Sequence, residues 1–140
     1  MKFLVAVDGS PASIRAVTLA IKFATERQQA SIVLLNVQNS AMLGPDTGIM
    51  TAAWIEEEEE HSSEEALKES MAACQAAGVP FTTRNERGAP AATIDQIARK
   101  ENVDHIIMGT RGLGRIQGLL VGSVATQVLH LVDVPVTLVK

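Results

Sequence analysis

A chain of 140 residues with 46% hydrophobic and 20% charged side chains is long enough for one core and too apolar for disorder, so a single domain over residues 1–140 is expected. Its net charge of −4 offers no general attraction to nucleic acid, and its one cysteine, Cys74, excludes an intramolecular disulfide and suits a reducing compartment. No apolar stretch of about 18 residues and no signal-peptide pattern is present, which predicts a cytoplasmic protein without membrane insertion.

The chain opens on an apolar run, residues 3–7, read as a strand and followed by Asp8-Gly9-Ser10. Ser10 then serves as a helix N-cap and Pro11 as the first helical residue, with Ile14, Val17, Ile21 and Ala24 recurring at helical spacing. Residues 31–37 form the second strand. The stretch from Asn39 to Met50 (NSAMLGPDTGIM) is rich in turn residues and longer than an ordinary connection, as a flap over a site or an inert surface loop would be. A second helix is expected over about residues 51–77, with Leu67, Met71 and Cys74 on one face and Gly78 past its end. Its acidic run, Glu56 to Glu60, is accounted for by solvation and the helix dipole, with an acidic docking face as the lesser alternative. Residues 79–84 are the third strand, and Ile94, Ile97 and Ala98 mark the third helix. The fourth strand, residues 105–108, precedes a helix striped by Val121, Val124, Ala125, Val128, Leu129 and Val132. The last strand runs from Val134 to Val139.

Strands alternating with helices predict an α/β fold: one doubly wound, mainly parallel five-stranded sheet with helices on both faces. Right-handed crossovers favour the flavodoxin-like order 3-2-1-4-5. Strands one and four then adjoin at the topological switch point, where ligands bind beyond the carboxyl ends of strands. The residues after Val7 and after Met108 are therefore the ones to inspect.

After Met108 the chain reads GTRGLGRIQGLLVGSVATQVL. Gly109, Gly112, Gly114, Gly118 and Gly122 lie between a buried strand and an amphipathic helix. Glycines let backbone N–H groups approach an anion, and a helix N-terminus at Gly122-Ser123 offers open N–H groups and a positive dipole end. Arg111 and Arg115 add charge for phosphates. The bland alternative, a glycine-rich surface loop, is disfavoured by the arginines and by the switch-point position. The loop is not a P-loop, because no Lys-Ser or Lys-Thr pair follows a glycine. Nor does it suit a dinucleotide enzyme, whose fingerprint follows the first strand. His61, His105 and His130 are scattered without ligand spacing, and Cys74 sits on an apolar helix stripe.

The spacing Gly109-x2-Gly112-x9-Gly122-Ser123 resembles the ATP-binding motif of the universal stress protein family. The flanks agree: Asp8-Gly9-Ser10 follows the first strand and Pro135-Val136 opens the last, so the resemblance covers essentially the whole chain. Thr110 stands where the family more often has serine and keeps the hydroxyl. The resemblance implies an adenine nucleotide alpha hydrolase-like fold and bound ATP, with Mg²⁺ held through the phosphates. It also implies that Ala6 and Asp8 border the nucleoside and that Asp8 faces ribose or a metal-bound water. Val37, ending the second strand, would meet adenine through its backbone and side chain. Gly109, Thr110, Arg111, Gly112, Gly114 and Arg115, with Gly122, Ser123, Val124 and Ala125, would hold ribose and phosphates.

Two rival functions stand beside a regulatory ATP-binding protein. An ATPase or phosphotransferase needs a positioned base and metal ligands, and Asp8 is the one evident candidate. A nucleotide-independent interaction module would leave the loop glycines without a purpose. A response-regulator receiver is excluded, because Asp8 lacks an acidic neighbour and no phosphoacceptor aspartate follows the third strand. The last strand falls at the sheet edge and is apolar, so a homodimer through it is expected, as the resemblance also implies. A regulatory protein partner is left open.

Overall fold

A computed structural model of the protein describes residues 1–39, 49–111 and 121–140, and the side chains of these except 49–60 and 62. The strands are β1 (Lys2–Ala6), β2 (Ser31–Gln38), β3 (Phe81–Arg87), β4 (His105–Gly109) and β5 (Val136–Val139). The helices are α1 (Pro11–Thr25), α2 (Ile49–Ala76), α3 (Pro90–Lys100) and α4 (Ser123–Leu131). The strands pair in the order β3-β2-β1-β4-β5, and every pair is parallel. The expected flavodoxin-like α/β fold is the one observed.

Side chains alternate across the sheet and build two cores. Phe3, Val5, Val7, Ile32, Leu34 and Ile107 pack with residues of α1 and α2 on one face. Leu4, Val33, Leu35, Ile106 and Met108 pack with residues of α3 and α4 on the other. The inner strands β1, β2 and β4 are thus apolar on both sides, as a parallel sheet between helices requires. Leu4, Leu34, Leu35 and Ile106 are completely buried, each contributing about 1.5–3 kcal/mol by leaving water.

The first helix starts as its sequence predicts. The Ser10 hydroxyl accepts a hydrogen bond from the Ser13 N–H at 3.2 Å, and Pro11 occupies the first turn. The last helix departs from its predicted stripe. α4 spans only nine residues, so Val121 and Val132 fall outside it, and Ala125 and Val128 alone are buried within it. Leu129 is 49% exposed and Leu131 44%. A helix over the sheet edge has less to bury against on its outer side, and Leu129 lies about 100° round the axis from Val128. Among the described residues no helix is long and apolar enough to cross a membrane.

Candidate nucleotide site

The connection from β1 leads to α1 on one face, and that from β4 leads to α4 on the other. The chain therefore parts between the carboxyl ends of β1 and β4, and a cleft opens there. Its volume is roughly 340 Å³, within the range of small-molecule sites. Of the thirteen residues predicted from sequence, ten line it: Ala6, Asp8, Val37, Gly109, Thr110, Arg111, Gly122, Ser123, Val124 and Ala125. Gly112, Gly114 and Arg115 lie outside the described residues, as do most of the 39–50 loop and the side chains of Glu56 to Glu60.

Asp8 enters from the turn after β1. Its Oδ1 accepts from the Ser10 N–H at 2.8 Å, closing the turn that starts α1, while the residue also borders the cleft. Asp8 therefore closes the turn and lines the cleft at once. Gly9, with φ +83°, supplies the backbone angle that this turn needs.

Thr110 and Gly122 form the neck of the glycine-rich loop. The Gly122 N–H donates to the Thr110 carbonyl at 2.6 Å, and the Thr110 N–H donates to the Val139 carbonyl at 2.8 Å. The Gly122 N–H is thus committed to the loop itself. The next N–H groups, of Ser123, Val124 and Ala125, begin α4, and no side chain among the described residues caps them. By contrast, Ser10 caps α1. An uncapped helix start facing a cleft presents both open donors and the positive end of the helix dipole.

Neither described glycine of the loop needs a left-handed backbone, since positive φ is confined to Gly9, Gly78 and Gly88 among the described glycines. Gly122 sits at φ −69°, which any residue adopts. Gly109 is small for packing: a Cβ there would come within 2.8 Å of the Ala12 Cβ.

Sequence reasoning did not assign Val7, Ser10, Ser13, Leu35, Asn39, Pro90, Ile94 or Met108 to the site, and these also line the cleft. Met108 could have been found from strand alternation, because it shares a face with Ile106. Pro90 and Ile94 depend on how α3 packs, which no local pattern reveals. No cluster of three or more His, Cys, Asp or Glu able to hold a metal occurs among the described residues.

A parallel sheet with a cleft at its switch point and a helix start in that cleft is the architecture of a doubly wound α/β protein. The chain belongs to the universal stress protein family, whose pattern matches residues 1–140. It is 34% identical over 146 residues to universal stress protein YxiE of Bacillus subtilis, an alignment covering 99% of this chain and 98% of that one. The solved structure of hypothetical protein MJ0577 superposes with a TM-score of 0.85 at 24% identity, covering 99% of this chain and 94% of that one. A universal stress protein solved in complex with cAMP superposes with a TM-score of 0.71 at 25% identity, covering 100% and 96%.

Proposed function

We propose that the cleft binds an adenine nucleotide, ATP in particular, and that the protein acts through its bound state in a cytoplasmic regulatory or stress-response role, with little or no turnover. The observation that carries this reading is the uncapped start of α4, with Arg111 and the Thr110 side chain on the same cleft. The relative solved with cAMP supports an adenine nucleotide as the ligand. In this reading Val37 meets adenine, and Ala6 and Asp8 border the nucleoside. Gly109, Thr110 and Arg111, with Gly112, Gly114 and Arg115, meet ribose and phosphates together with the α4 start. Mg²⁺ arrives on the phosphates, and Asp8 is the one carboxylate among the described lining residues that could meet its water shell. A lone carboxylate is a poor basis for fast hydrolysis, which needs a positioned water and metal ligation together.

The reading includes a homodimer through β5. That strand pairs with β4 alone, so its outer N–H and C=O groups face outward, and all four of its side chains are half-buried. Pairing with a second copy about a two-fold axis satisfies both edges.

Gly122→Val tests the site. The backbone angle at Gly122 accepts valine, so the variant should fold, while its side chain stands where a phosphate would approach the helix start. Titration calorimetry should show ATP affinity lost. Equal affinity in wild type and folded variant would overturn the assignment.

A further inference from the structure

We propose that Asn36 is a positioning residue for the cleft: its side chain takes the place of the last rung of the β1–β2 ladder and so leaves the Val37 peptide open to a ligand. In a parallel sheet, alternate residues of a central strand turn their N–H and C=O groups to opposite neighbours. The Val7 N–H donates to the Leu35 carbonyl at 2.8 Å, so Leu35 faces β1. The Ile32 N–H donates to the Pro80 carbonyl, and the Gly88 N–H donates to the Gln38 carbonyl, so the even-numbered residues face β3. Val37 is therefore the next residue whose peptide faces β1. A regular ladder would give the Val7 carbonyl to the Val37 N–H.

The Val7 carbonyl is taken otherwise. Asn36 Nδ2 donates to it at 2.7 Å, from the sheet face of Ile32 and Leu34 that lies opposite the Val37 side chain. A carbonyl only accepts, so the nitrogen of the amide must be the atom that faces it. Past Val7 the chain turns away at Asp8 and Gly9, and the Val37 carbonyl meets no β1 donor among the described residues. The result is a backbone donor and acceptor side by side, on a residue that lines the cleft. Buried backbone groups seldom go unpaired, so such a pair points to a ligand edge with an acceptor next to a donor.

Asn36 itself sits at a cost. It is 1% exposed, and its Oδ1 has no hydrogen-bond partner among the described residues. A leucine there would bury no orphaned acceptor, so the contribution of asparagine is the Nδ2 bond. Gln38 Nε2, two residues along the same face, has no partner among the described residues either, so this end of β2 carries polar groups that packing alone does not require.

This inference rests on the adenine-nucleotide reading, and it sharpens which base is accepted. Adenine presents the N1 acceptor beside the N6 amino donor, which complements an open N–H and C=O. Hypoxanthine presents the reverse, an O6 acceptor beside an N1–H donor.

The test uses the full chain, with ATP and inosine triphosphate as probes. Amide hydrogen exchange should find the Val37 N–H unprotected without nucleotide and protected with ATP. In Asn36→Leu the Val7 carbonyl has no donor except Val37, so the ladder closes by one rung. Val37 should then be protected without nucleotide, ATP affinity should fall at least tenfold, and preference for ATP over inosine triphosphate should collapse. Asn36→His, which keeps an N–H donor on the same stem, should retain the preference. The proposal is overturned by a protected Val37 amide in nucleotide-free wild type. It is equally overturned by a folded Asn36→Leu that keeps the preference, or by a loss that Asn36→His shares. Should Asn36→Leu fail to fold, Val37 exchange in the wild type decides. A wild type that binds neither nucleotide refutes the adenine reading instead, and Val37 exchange still tests the role of Asn36.

Discussion

Gly109 and Gly122 look alike in the motif and answer different demands of the fold. A methyl on Gly109 would press on Ala12 Cβ at 2.8 Å and on the Ser13 nitrogen at 3.2 Å, where β4 crosses the start of α1. Neither backbone can yield cheaply. Gly109→Ala should therefore cost about 1–3 kcal/mol, the usual penalty for overpacking. Urea unfolding would read this as a lower midpoint at unchanged slope; an unchanged midpoint would contradict the packing account. His105 sets a second residue-scale expectation. Burial, and then the positive charge of Arg27, hold its imidazole below the ordinary value of 6.5. Its ring also packs near Phe3 and Phe23, and its Nε2 meets Thr137 Oγ1 at 2.8 Å. The folded pKa is depressed, so the unfolded chain takes the proton first. This contribution to stability is complete above pH 6.5 and declines as the pH falls towards the folded value. Glu101 is held below its ordinary 4.5, chiefly by its hydrogen bond from Arg84, so its contribution fades only below pH 4.5. Unfolding free energy should thus begin to fall below pH 6.5 in wild type and stay flatter in His105→Gln down to about pH 5. Identical profiles in the two proteins would remove His105 from the account.

Element order and helix number were legible because apolar runs and helical stripes alternate along the chain, and the sheet order followed from right-handed crossovers rather than from periodicity. The strand ends were less so. The predicted third strand stopped at Arg84, whereas β3 runs Phe81–Arg87. As an edge strand it carries Arg84, Glu86 and Arg87, and hydrophobicity fades before backbone pairing does. Val79 belongs instead to the close of α2, where its N–H donates to the Cys74 carbonyl at 3.0 Å. β5 begins at Val136 because Pro135 has no N–H for the ladder, though its carbonyl still accepts from the Ile106 N–H at 2.9 Å. The glycine spacing made one wall of the cleft readable, since residues 109–111 and 122–125 lie close together in the chain. Asn36 was not readable, because its role depends on meeting Val7, twenty-nine positions away. For the proposed dimer, Val136 and Leu138 are half-buried, so lysines there can carry their charge to water without opening the core. Sedimentation of Val136→Lys/Leu138→Lys should show a monomer with unchanged helicity, against a dimeric wild type at tens of micromolar. A monomeric wild type, or a variant that stays dimeric, would contradict pairing through β5.

At the scale of the molecule, the two cores hold the sheet rigidly from both faces, while the cleft sits where the chain parts between them. Such a frame can report a bound nucleotide without consuming it. Steady-state phosphate release from ATP should stay below about 1 s⁻¹, the low end of ordinary enzyme turnover. Faster release that Asp8→Ala abolishes would make this an enzyme, with Asp8 its first catalytic suspect. The central claim is that this cleft holds ATP. Calorimetric titration of the full wild-type chain with ATP and Mg²⁺ tests it most directly. The account predicts saturation at one ATP per chain, with a dissociation constant of about 1 μM to tens of micromolar or tighter, roughly −8 kcal/mol at 1 μM. No saturation with ATP raised to about 1 mM, the level of only −4 kcal/mol, would contradict it.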